Sequence, residues 1–113
     1  MNDPGYEIDT LITRHLVRVV VRGELDMAAR EALVEEAAAG LQRGADGAIL
    51  ELDLRDVTFA DSSGLTGLVR CSGLTPGRAV VLLDPPPAVR GPLERTGLDA
   101  LFLERHLEQP PTA

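Results

Sequence analysis

The chain has 113 residues and a formal charge of −7, which suits one domain with a real core and argues against nucleic acid, whose phosphates need clustered cations. All eleven basic residues are arginine, so no side chain can form a Schiff base or act as a phosphate-loop lysine. Cys71 stands alone and forms no intrachain disulfide, and three aromatics, Tyr6, Phe59 and Phe102, leave little for stacking on bases or sugars.

The first ten residues, MNDPGYEIDT, lack the basic and apolar runs of a signal peptide. No apolar run approaches bilayer length. The expectation is therefore a soluble cytoplasmic protein without a membrane partner. Tyr6 to Leu11 alternates weakly, as a short first strand does. Leu16 to Leu25 is rich in valine and reads as a second strand. Gly23 breaks that run and Asp26 is placed to cap a helix. From Met27 to Leu41, Ala29, Leu33, Ala37 and Leu41 recur every four residues and predict a buried stripe, with Arg30, Glu31, Glu35 and Glu36 left to water. Gly40 and the segment 43–47 are expected to end this helix.

Ala48 to Leu54 has the period of a strand, with apolar residues at 48, 50, 52 and 54 and acids at 51 and 53. Val57 to Ala60 leads to Asp61-Ser62-Ser63-Gly64, small polar residues that open a helix with Leu65, Leu68 and Val69 on its apolar side. Gly73, Pro76 and Gly77 stop it. Ala79 to Leu83 is continuously apolar, as central parallel strands are. Pro87 suits the first turn of a third helix; Gly91-Pro92 predicts that this helix is short or bent, and Gly97 closes it. Leu101 to Leu103 reads as a last strand. The predicted fold is α/β: one domain over 1–113, with a mixed, mostly parallel sheet of four to five strands covered by helices. Its core spans about 6–103, and 104–113 is a frayed tail.

Two patches carry the chemistry. One is Gly23-Glu24-Leu25-Asp26; the other is Asp53-Leu54 followed by Phe59-Ala60-Asp61-Ser62-Ser63-Gly64-Leu65. Together, and with PPAVRGPLERTGLDALF at 86–102, they resemble the anti-sigma factor antagonists, a group of STAS domains, in order and spacing over roughly 6–103. The resemblance implies partner switching. The unmodified antagonist binds an anti-sigma factor that is a serine kinase with a GHKL-type fold, and so frees the sigma factor. The kinase phosphorylates a serine at the helix start, binding is lost, and a serine phosphatase resets the switch. That serine maps onto Ser62, with Ser63 as the second candidate. Glu24, Asp26, Asp61, Ser63, Gly64 and Leu65 map onto the partner-binding surface. No cofactor and no metal are implied, and a monomer or weak dimer is expected.

A helix start tolerates a phosphate, because its N–H groups are unpaired and its dipole end is positive. The same residues have plainer readings. Asp61-Ser62-Ser63-Gly64 is also an ordinary capped turn, and Asp26 an ordinary cap. Glu24 is a solvated strand-end charge or a contact for a partner arginine, and Asp53 a solvent-face residue or an orienter of the hydroxyl region. Two other functions remain open. One is a STAS scaffold that binds a transporter or signalling partner without phosphorylation. The other is a carboxylate-dependent hydrolase using Glu24, Asp26 and Asp61, although neither His15 nor His106 is placed to activate Ser62. The reading favoured by the residues is a binding switch, not an enzyme.

Overall fold

The computed structural model describes residues 5–107. Strands β1 (Tyr6–Ile12) and β2 (Leu16–Leu25) form an antiparallel hairpin, followed by helix α1 (Met27–Arg43) and strand β3 (Ile49–Ala60). Helix α2 (Ser62–Ser72), strand β4 (Val80–Leu83), helix α3 (Pro87–Thr96), a 3-10 turn (Leu98–Leu101) and strand β5 (Phe102–Arg105) complete the order. The sheet runs β1-β2-β3-β4-β5, with every neighbour pair after the hairpin parallel. Each parallel crossover therefore needs a helix, which α1, α2 and α3 supply.

One face of the sheet carries the core. Val17, Val19 and Val21 of β2, Leu50, Leu52 and Leu54 of β3, and Val80 and Leu82 of β4 meet Ala29, Leu33, Leu68, Cys71, Val89 and Leu93 from the three helices. The strand alternation read in the sequence is thus the real one on this face. The opposite face holds Arg18, Val20, Glu51, Asp53, Val81 and Leu83. Glu51 and Asp53, although acidic, are buried there. Arg18 Nε lies 2.9 Å from Glu51, and the Arg105 guanidinium reaches its other oxygen at 3.9 Å. A carboxylate in the middle of a sheet is tolerated when arginine stems cover it and their heads pair it.

Three expectations need correction. Gly40 does not end α1: it is buried inside the helix, where a β-carbon would press on Val17 and Thr10. The helix stops at Gly44, whose N–H donates to the Gly40 carbonyl. The strand expected over 48–54 and the segment 57–60 are one strand. Two register shifts against β2, between Val20 and Arg22 and between Gly23 and Glu24, absorb the extra residues of β3. Gly23 has φ +87°, and a β-carbon there would strike the Gly5 carbonyl, so this bend requires glycine. The last strand lies at 102–105, so Glu104 and Arg105 belong to the sheet and not to a tail. Beyond it, Asp84 accepts from the Leu107 N–H at 3.0 Å and lies 2.9 Å from the His106 ring. The remainder of the expected tail, 108–113, lies outside the described residues. The third helix is the shortest of the three, as expected, and runs through Pro92 to Thr96. The Thr96 hydroxyl donates to the Pro92 carbonyl at 2.8 Å, and Gly97 at φ +75° closes the helix.

Candidate functional site

Two strand-to-helix turns meet at one end of the sheet. Leu25 pairs with Ala60 across β2 and β3, so the chain leaves both strands side by side. Asp26 and Asp61 follow directly, each in an extended conformation. Asp26 Oδ1 accepts from Ala29 N at 3.1 Å and Asp61 Oδ1 from Gly64 N at 2.9 Å. Both aspartates are therefore N-caps, each satisfying a donor that the helix cannot. The turns are locked together: Asp61 N donates to the Leu25 carbonyl at 3.3 Å. Gly64 packs so closely on that carbonyl that a β-carbon would overlap it. Gly67, one turn on, lies against Arg30 of α1 in the same way.

This geometry sorts the candidate residues. Ser62 is the first residue of α2 and is exposed; Ser63 is only partly so. Among the described residues, no side-chain hydrogen bond engages the Ser62 hydroxyl. Gly64 is buried, Leu65 is half-buried and Glu24 is exposed at the strand end. Asp53 does not join them. It sits on the opposite face of the sheet, where its carboxylate accepts from Arg55 N at 3.2 Å, so it does not orient the hydroxyl region. Among the described residues, neither histidine is shown beside these acids. His106 is held at Asp84, and His15 lies in the β1–β2 turn at the far end of the sheet.

Ser62 borders a groove of about 350 Å³ between α2 and the corner joining α3 to the 3-10 turn. Leu65, Thr66 and Val69 form one wall, and Thr96 and Leu98 the other. Val69, Thr96 and Leu98 were not among the candidates. No sequence period links residues that lie on separate elements, and only the Thr-Gly-Leu turn at 96–98 hinted at them. Met27, 61% exposed, and Phe59, 50% exposed, stand at the same end as Ser62 and were also missed as surface residues. Neither lines the groove, but large apolar side chains left in water are candidates for contact with a partner.

Residues 8–105 match the family described as Mlab, STAS domain. No curated protein matches the chain. Among solved structures, an anti-sigma factor antagonist from Mycobacterium paratuberculosis superposes with a TM-score of 0.75 at 27% identity, covering 92% of this chain and 89% of its own. SpoIIAA, a cell fate determinant of Bacillus and itself an anti-sigma factor antagonist, is similar in two states. The unphosphorylated form gives a TM-score of 0.64 at 22% identity, over 88% of this chain and 87% of its own. The phosphorylated form gives 0.58 at 21%, over 88% and 90%. At those identities the SpoIIAA structures speak to the fold.

Proposed function

The chain belongs to the STAS domain family, and from that premise we propose that it is an anti-sigma factor antagonist switched by phosphorylation of Ser62. The observation that carries this reading is the placement of Ser62: an exposed, unengaged hydroxyl at the first position of α2, on the lip of an apolar groove. The 27% identical antagonist of the same fold supports it.

In this reading the unmodified chain docks an anti-sigma factor, a serine kinase, through the groove and through Met27 and Phe59. Docking releases the sigma factor. The kinase then transfers a phosphoryl group from ATP to the Ser62 oxygen, whose proton leaves, and a serine phosphatase later hydrolyses the ester. The fold does not oppose the phosphate, since the α2 dipole and its free N–H groups favour an anion there. What changes is the surface. About −1.5 to −2 units of charge appear beside Asp61 and near Asp26 and Glu24, on an apolar lip that a partner must desolvate. A penalty of about 3 kcal/mol lowers affinity roughly a hundredfold. Ser63, partly covered, presents a poorer nucleophile to a kinase.

The experiment is incubation with the candidate kinase and ATP, with mass-spectrometric mapping and titration of variants. Phosphate on Ser62, full binding by Ser62→Ala and about a hundredfold loss by Ser62→Asp are expected. Unmodified serines, together with Ser62→Asp binding as tightly as the wild type, would reject the switch. The shortness of α2, 11 residues, favours a second reading. In it, the same surface binds a transporter or signalling partner without modification, and Ser62→Asp leaves that binding intact.

A further inference from the structure

The arginines are unevenly paired. Seven form ion pairs in the described residues; Arg14, Arg43, Arg78 and Arg95 form none. Three of these four unpaired arginines gather at the end of the sheet opposite Ser62. Arg14 lies in the β1–β2 turn, Arg43 ends α1, and Arg78 precedes β4. The turns touch one another. Ile49 N donates to the His15 carbonyl at 3.0 Å, Arg78 Nη1 donates to the Ala48 carbonyl at 2.9 Å, and Ile12 packs beside Gly44. At the same end of the sheet, on its two faces, stand three large apolar side chains in water: Leu11 at 55%, Ile12 at 39% and Ile49 at 40% exposed. The segments 11–16, 42–49 and 76–79 contain a single carboxylate, Asp46.

In a chain of net charge −7, such a cationic, apolar end is a local inversion of the molecular field. We infer that it is a second docking surface, for an acidic peptide segment of a protein partner that also presents apolar side chains. The charge pattern selects this occupant over extended anions. A DNA duplex or an anionic bilayer would face the acidic bulk of the molecule together with the patch. A short acidic segment sees only what lies within a Debye length, about 8 Å at physiological salt. Leu11, Ile12 and Ile49 supply the burial that holds it, and the arginines its orientation. The surface is remote from Ser62 and works in either state of that residue.

The test is titration of the isotope-labelled full chain with a peptide of alternating glutamate and leucine, followed by amide shifts. Shifts confined to residues 11–18, 42–49 and 76–80 are expected, weakening as salt rises. Arg14→Glu with Arg43→Glu, both exposed and unpaired and so safe for folding, should lose about tenfold in affinity or more, and Ile49→Ser should also weaken it. Ser62→Asp should bind the peptide as the wild type does, so the outcome is independent of the phosphorylation reading. The inference is overturned by shifts centred on the Ser62 end, or by equal response to a lysine–leucine peptide. It also fails if dilution alone produces the shifts, which would mean self-association, or if phosphatidylglycerol vesicles bind as tightly as the peptide.

Discussion

At the residue scale, the contacts that matter most involve atoms that are missing. Gly64 leaves room for the Leu25 carbonyl where any side chain would collide. Gly64→Ala should therefore lower stability by about 1–3 kcal/mol, the usual cost of overpacking, read as a lower midpoint in denaturant. Cys71 is fully buried, and burial pushes its thiol up to about 12. It should resist thiol reagents at pH 8 in the folded protein and react at once in denaturant, because only the thiolate is nucleophilic. Modification of the native chain at the rate of a free thiol would contradict the burial. Sequence alone did not reveal the role of Gly64. A glycine after Asp-Ser-Ser reads as turn chemistry, and only the fold brings the β2 carbonyl against it.

At the scale of elements, caps and clasps do the positioning. Asp61→Ala removes the acceptor of the Gly64 N–H and should cost about 1 kcal/mol, measured as a lowered melting temperature with α2 amides losing exchange protection first. Asp84 clasps the end of β5. The Leu107 N–H, then the His106 ring, hold its carboxyl below the usual carboxylate range. A depressed carboxylate stabilises above its unfolded pKa, near 3.9, and the benefit fades as pH falls through the folded value. Asp84→Asn should therefore be less stable than the wild type at neutral pH, with the gap closing in acid. A gap that widened on acidification would overturn this account. The helices and strands were legible because their periods are local: Ala29, Leu33 and Ala37 mark α1, and Leu50, Leu52 and Leu54 mark β3. The failures were non-local. Gly40 looked like a stop because its packing partner, Val17, lies on another element. The bulges of β3 were invisible because they exist only relative to β2.

At the scale of the whole molecule, three helices share one face of the sheet, and no described helix is long and apolar enough to cross a membrane. Because the Ser62 end rests on two caps locked together, a charge there should act without rearranging the domain. Ser62→Asp should leave the circular dichroism spectrum unchanged and move amide resonances only around the starts of α1 and α2 and the adjoining groove. Shifts spread through β4 and β5 would point to a global transition instead. Two parts of the candidate site were legible because each is continuous in sequence, Glu24 to Asp26 and Asp61 to Leu65. Its far wall, Thr96 and Leu98, was not, since a groove between elements is a property of the packing.

Among the described residues, β4 pairs with β3 only at Glu51, Leu52 and Asp53, so the last seven residues of β3, from Leu54 to Ala60, have β2 as their only strand neighbour there. The serine is thus carried by the turn that leaves β3, while Thr96 and Leu98 come from a separate, later segment. Substitutions at Thr96 and Leu98 therefore reshape the far wall of the groove without touching the turn that presents Ser62.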